Sequence, residues 1–192
     1  VTSSGKTEVY IHLIEEAIRK GQQVLYLVPE IALTTQLTDR LRSVFGDAVL
    51  VYHSRFSSAE RVEVYREVRG DEVRGKVILG ARSAIFLPFS NLGLIIVDEE
   101  HEPSYKQQDP APRYHARSAA IMMAQWYNAK VLLGTATPAI ETYYNAMTGK
   151  YGYAAMSNRY KGLEMPRITM IDLQRQYHRK EMYGHFSDPL VF

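Results

Sequence analysis

There is no cysteine anywhere in the 192 residues. That excludes a disulfide framework and a thiolate zinc site within this stretch; any metal here is held through oxygen, and a reducing compartment is compatible with the chain. Long hydrophobic runs are missing too. The longest, near residues 92–97, is far short of the roughly 20 residues that a membrane span needs. Charge of one sign is also lacking, with 23 Lys and Arg against 21 Asp and Glu and a formal net charge of +2. No overall field therefore draws the chain to nucleic acid, although basic residues gather locally in 61–74 and 175–180. What remains is 46% hydrophobic. That is enough for a core in one domain with a tail, and it excludes a disordered chain.

Apolar runs at 24–28, 49–52, 77–79, 94–97 and 131–133 are short, continuous and rich in β-branched residues, the pattern of strands buried on both faces. Helical periodicity covers 7–20, 34–45, 58–68 and 114–127, then 138–147. Gly21, Gly46 and Gly70 stand where helix C-terminal glycines belong, and Ser57 or Ser58 is placed to cap the third helix. This alternation predicts an α/β fold with a mostly parallel sheet and helices on both faces. Residues 167–173 read as a last strand. Residues 174–192 read as a linker ending in Ser187-Asp188-Pro189-Leu190, the capped start of a further helix. The expected organisation is a lobe over 1–173 and a linker over 174–192.

Thr2-Ser3-Ser4-Gly5-Lys6-Thr7 directly precedes the first helical pattern. It fits the end of a phosphate loop, in which backbone N–H groups and a helix N-terminus cradle phosphates, the lysine reaches the β and γ groups and the hydroxyl ligates magnesium. These six residues are the candidate nucleotide contacts, with Thr7 also a metal ligand. The loop's first glycine would fall one residue before Val1, so the chain is expected to begin inside its own motif. Leu94-Ile95-Ile96-Val97-Asp98-Glu99-Glu100-His101 is an apolar run that ends in three consecutive acids. The carboxyl end of a parallel strand is where open α/β sheets bind ligands. Asp98 is placed to hold magnesium, directly or through water. Glu99 is placed as the catalytic group that orients and deprotonates the water attacking a γ-phosphate, while Lys6 neutralises developing charge. Glu100 reads either as part of this site or as a salt-bridged strand end. At another strand end, Gly134-Thr135-Ala136-Thr137-Pro138 brings two small hydroxyls toward Asp98 and His101. His101, Thr135 and Thr137 are therefore candidate coupling residues that report nucleotide state.

In chain order, the phosphate loop, Leu27-Val28-Pro29-Glu30-Ile31-Ala32-Leu33-Thr34, Gly80-Ala81-Arg82-Ser83-Ala84, Asp98-Glu99-Glu100-His101 and Gly134-Thr135-Ala136-Thr137-Pro138 resemble the first motor lobe of superfamily two helicases. Ser104-Tyr105-Lys106-Gln107-Gln108 with Pro112-Arg113-Tyr114-His115-Ala116-Arg117 is similar, more narrowly, to the aromatic-rich loop of the primosomal replication-restart DNA helicases. The resemblance implies a RecA-like P-loop NTPase lobe that uses ATP and Mg2+ and moves 3′ to 5′ on DNA. It implies fork and single-stranded DNA, primosome proteins and single-stranded DNA-binding protein as partners, and a cytoplasmic location with no membrane contact. Zinc is implied only for an insert in a second lobe outside this chain. The resemblance also sets Pro29, Glu30, Arg82 and Ser83 along the DNA track, and loop 103–117 as a sensor of single-stranded DNA. Independently, Tyr105 and Tyr114 offer stacking faces, and Lys106, Arg113 and Arg117 offer phosphate contacts. Ser4 and Ala81 stand where these motifs commonly carry glycine and threonine, and neither change removes a reacting group. Arginine fingers of such motors come from the second lobe, so the isolated chain is expected to hydrolyse ATP slowly or not at all. Two rivals stand beside this reading. One is another superfamily two translocase of restriction or branch-migration type, and the other is a nonhydrolysing nucleotide- or DNA-binding module, which would have no use for Glu99.

Overall fold

The computed structural model describes residues 5–70, 76–156 and 169–187. It divides into two compact units, Val1–Tyr160 and Lys161–Phe192, and the expected boundary at 173/174 falls inside the second. The first unit runs α1 (Lys6–Arg19), β1 (Gln23–Leu27), α2 (Thr35–Phe45), β2 (Val49–Tyr52), α3 (Ser58–Arg69), β3 (Val77–Gly80), β4 (Leu92–Asp98), α4 (Ala116–Tyr127), β5 (Lys130–Gly134) and α5 (Ile140–Met147). Its five strands form one sheet in the order β2-β3-β1-β4-β5, and every pairing is parallel.

The continuous apolar runs fold this way because alternate side chains of one strand enter different cores. Leu25, Leu27, Ile78, Ile95 and Val97 pack with Val64 and Val68 of α3 and with Ala116, Ala120 and Met123 of α4. Val24, Tyr26, Leu79, Leu94 and Ile96 pack on the other face with Tyr10, Ile11, Ile14 and Ala17 of α1 and Leu41 of α2. The 10, 11, 14, 17 spacing on α1 is the stripe that a 3.6-residue period requires. Thr34 caps α2 by accepting from Leu37 N–H. Ser57 caps α3 in a reciprocal box with Glu60. Gly21 and Gly46 take left-handed φ of 71° and 55° at helix ends. Gly70 does not: it ends α3 at φ −69°, so nothing in the backbone there demands glycine.

Parallel register delivers the motif-bearing loops after β1, β3, β4 and β5 to one edge of the sheet. Leu27 pairs with Gly80 on one side and Val97 on the other, and Asp98 pairs with Gly134. Pro29, Ala81, Glu99 and Thr135 therefore leave the sheet side by side.

In the second unit the described residues 169–173 of the strand expected over 167–173 form no strand. Residues 169–172 have no regular structure, and Leu173 instead opens α6 (Leu173–His178). The physical reason is local: the Asp172 side chain accepts from Arg175 N–H at 3.2 Å and caps a helix start. Arg167 and Ile168 lie outside the described residues, as does 188–190 of the expected helix start. The expected linker is not without structure either, because β6 (Met182–Tyr183) and β7 (Phe186–Ser187) pair antiparallel. Among the described residues no helix is long and apolar enough to cross a membrane.

Candidate active site

Thr2, Ser3 and Ser4 lie outside the described residues. Gly5, at φ 88°, turns the chain directly into α1, whose first residue has no side-chain cap. The first N–H groups of the helix are left as a ready anion site. Lys6 Nζ lies 2.6 Å from Glu99 Oε1 and 3.6 Å from Asp98 Oδ1. Lys6 thus meets two adjacent predicted acids more than 90 positions away in sequence, and a phosphate arriving at the loop competes with Glu99 for the lysine.

Asp98 is held rather than free. Its Oδ1 accepts from the Tyr10 hydroxyl at 2.9 Å and from Glu99 N–H at 3.0 Å, and the Tyr26 hydroxyl lies 3.5 Å from Oδ2. Burial, and then the Asp98 charge, push both phenols well above the usual tyrosine range. Both remain donors at any working pH and fix the carboxylate's orientation. The contact depends on Gly134, because a β-carbon there would overlap the Tyr10 hydroxyl. Sequence reasoning missed Tyr10 and Tyr26, which look like core aromatics. Their partner is revealed only by the register.

Glu99 sits at φ 47°, a left-handed conformation that costs a non-glycine residue about 1–3 kcal/mol and clusters at functional sites. The turn aims Oε1 at Lys6, while Oε2 lies 3.6 Å from His101 Nδ1. His101 Nδ1 is 2.7 Å from Thr135 Oγ1 and its Nε2 is 3.3 Å from Thr137 Oγ1. The imidazole therefore spans the space between Glu99 and both hydroxyls.

Asp98 and the Thr7 hydroxyl suit magnesium, which binds through one or two protein oxygens and fills the rest of its shell with waters and phosphates. Among the described residues no group of three or more His, Cys, Asp or Glu side chains is arranged to hold a metal. Such a cage is what a nucleotide-borne ion does without.

The aromatic loop departs from its expected role at two positions. Tyr105 is fully buried, with its hydroxyl 2.6 Å from the Asp98 carbonyl and 3.0 Å from the Leu27 carbonyl, and so presents no stacking face to solvent. Arg117, with a side chain 14% exposed, gives its guanidinium to Glu100 Oε2 at 2.6 Å and is not free for a phosphate. In both cases an inward partner outcompetes water: two backbone carbonyls for the phenol and a buried carboxylate for the arginine. Pro29 is buried, whereas Glu30 is exposed and accepts from Ser54 Oγ at 2.8 Å. Arg82 Nη1 donates to the Ser104 and Lys106 carbonyls at 3.1 and 3.2 Å, and Ser83 is half-buried beside it. Lys106 Nζ donates to the Arg113 carbonyl at 2.5 Å, and Arg113 itself is exposed. Tyr114 is half-buried and meets exposed Phe86 edge to face at 4.8 Å. Val28, Pro29, Glu30, Arg82, Ser104 and Tyr105 line one small cleft of about 50 Å³.

A parallel sheet with a phosphate-loop helix and paired acids at its carboxyl edge defines the class: an ATP-binding lobe of the RecA-like P-loop fold. A family model described as DEAD/DEAH box helicase matches residues 1–146, and the chain belongs to that family. Among curated proteins it is 45% identical over 176 residues to the replication restart protein PriA of Bacillus subtilis, covering 92% of this chain and 22% of that protein. It is 46% identical over 191 residues to PriA of Haemophilus influenzae, covering 100% of this chain and 25% of that protein. The chain thus spans about a quarter of the length of such relatives. A solved structure of RecG bound to a three-way DNA junction matches with a TM-score of 0.52 at 21% identity, over 76% of this chain and 18% of that one. It supports the fold.

Proposed function

We propose that this chain is the ATP-binding motor lobe of a 3′-to-5′ DNA helicase that acts in primosome assembly and restart of stalled replication forks. The observation that carries the reading is the unbroken chain Lys6–Glu99–His101–Thr135 across the carboxyl edge of the sheet, in a chain more than 40% identical to replication restart proteins. Lys6 and the α1 N-terminus hold the β and γ phosphates. Asp98, oriented by Tyr10, and the Thr7 hydroxyl would hold Mg2+, which when bound would supply positive charge to the transferred phosphoryl group. Glu99 accepts the proton of the attacking water. His101 passes the state of Glu99 to Thr135 and Thr137, at the base of the segment that leads into α5.

Single-stranded DNA runs past Glu30, Arg82 and Ser83 toward Lys106, Arg113 and Tyr114, the track residues that remain at or near the surface. Primosome proteins and single-stranded DNA-binding protein are the partners, and the cytoplasm is the location. Residues 1–173 belong to this lobe, with 174–192 leading to the second. By the same resemblance, zinc belongs to an insert of that second lobe.

The test is strand displacement by the longer protein on duplexes carrying either a 3′ or a 5′ single-stranded tail, with ATP and Mg2+. ATP-dependent unwinding on the 3′ tail supports the reading. Unwinding only from a 5′ tail, or DNA binding with no unwinding on either, contradicts it.

A further inference from the structure

Glu100 is fully buried, and it is the one buried charged side chain among the described residues. Burying a carboxylate costs several kcal/mol unless it is paired, and a well-packed apolar side chain of similar size is often as stable in its place. Core packing alone therefore gives no reason for a glutamate here.

Its partners come from three separate elements. Oε2 accepts from Arg117 at 2.6 Å, where the aromatic loop closes into α4, and from Thr142 Oγ1 at 2.9 Å on α5. Oε1 accepts from Ala139 N–H at 2.8 Å, at the N-terminus of α5. The backbone N–H of Glu100 donates to the Gly134 carbonyl at 3.1 Å. One residue thus ties together the end of β4, the end of β5, the exit of the loop and the start of the helix that follows Thr135 and Thr137.

The loop is moored twice to the acidic strand end. Its entry is fixed by the Tyr105 hydroxyl on the Asp98 carbonyl, and its exit by Arg117 on the Glu100 carboxylate. Between these two anchors lies Glu99, and His101 follows directly. A shift of α4's first turn moves Arg117, and the Glu100 carboxylate must follow or lose its counter-charge. Either change alters the backbone that positions Glu99 on one side and His101 on the other.

We propose that Glu100 is a positioning residue: with Arg117 it couples the aromatic loop to the hydrolytic acids and to the Thr135–Thr137 segment. Arg117 then acts on the reaction through Glu100 and not by touching DNA. This inference rests on the helicase reading above.

The experiment uses the longer protein with Arg117→Met, Arg117→Lys, Glu100→Gln and the double variant Glu100→Gln/Arg117→Met. The double variant leaves no unpaired buried charge and guards against simple unfolding. Three quantities are read: affinity for a labelled oligonucleotide, the ratio of DNA-stimulated to unstimulated ATP turnover, and melting temperature. Each single neutralisation is expected to lower the stimulation ratio about tenfold, within the 5- to 150-fold span of ordinary coupling, while DNA affinity stays within about twofold. Arg117→Lys restores part of the ratio, and the double variant is no worse than the worse single one, because both changes break one link. The proposal is overturned by an unchanged ratio in the folded double variant, by additive losses, or by a ratio that falls in step with DNA affinity. A wild-type protein whose hydrolysis ignores DNA overturns the helicase reading as well, and this separates the two failures.

Discussion

Replacing Tyr105 with phenylalanine removes one oxygen from a ring that is fully buried. That oxygen lies 2.6 Å from the Asp98 carbonyl and 3.0 Å from the Leu27 carbonyl, so its single proton serves the ends of two adjacent strands. Phenylalanine fills the same space and leaves no cavity. The loss is therefore that of one buried hydrogen bond, plus two carbonyls with less satisfaction than before, about 1–2 kcal/mol. For a unit of this size that lowers the melting temperature by about 2–8 °C. Tyr105→Ala adds a cavity the size of an aromatic ring and costs about 3–5 kcal/mol. A base-stacking tyrosine behaves in the opposite way: phenylalanine keeps the π face and hence the DNA contact, and an exposed hydroxyl contributes little to stability. Thermal melting and oligonucleotide anisotropy on the longer protein separate the two cases. The reasoning is refuted if Tyr105→Phe melts within about 1 °C of wild type while Tyr105→Ala weakens DNA binding without lowering the melting temperature.

Gly134→Ala drives a β-carbon into the Tyr10 hydroxyl. The expected outcome is loss of the Tyr10–Asp98 bond, half-saturation of turnover at a higher Mg2+ concentration and a melting temperature several degrees lower; a Gly134→Ala protein with wild-type Mg2+ titration and stability would show that the close approach is not needed. His115 sits at the loop exit with its Nδ1 buried and without a hydrogen-bond partner. Burial first, and then Arg117 and Lys106, hold its pKa below the ordinary 6.5, against the opposing pull of Glu100 and Glu141. Its unfolded form binds a proton more readily than its folded form, so its contribution to stability is complete above pH 6.5 and is lost as pH falls through the lower folded value. His115→Gln should flatten the fall of chemical-denaturation stability below pH 6.5; an identical slope in the variant would place the acid sensitivity elsewhere. If the arginines that complete the site come from a second lobe, as proposed, the 192-residue chain alone turns over ATP far below a longer protein that contains it. A rate near that of the DNA-stimulated motor would contradict this.

Strands were legible because both faces of this sheet are covered, so 24–28, 77–79 and 94–97 had to be apolar at every position, and no solvent-facing alternation blurred them. The meeting of Lys6 with Asp98 and Glu99 was legible because a lysine at a helix start and acids at the end of a parallel strand converge on one edge of such a sheet. Inward or outward orientation in the loop was not legible. Tyr105 and Arg117 look identical in sequence to a stacking ring and a phosphate contact, and only the parallel register reveals that the Asp98 carbonyl and a buried Glu100 lie beneath them. The strand expected over 167–173, which the described residues 169–173 do not form, is the converse case. Its β-rich composition had no neighbouring ladder among the described residues, and Asp172 supplied a local helix cap at 3.2 Å instead.

The central claim is that Glu99, turned by a left-handed backbone toward Lys6 and His101, activates the water of hydrolysis. Its most direct test is ATP turnover by the longer protein with saturating single-stranded DNA, wild type beside Glu99→Gln, with nucleotide affinity measured on the same samples. The expected result is a fall in turnover of at least about 100-fold, the contribution of a positioned general base, with nucleotide still bound. Equal turnover in the two proteins would contradict it and leave the lobe as a binding module with inherited motifs.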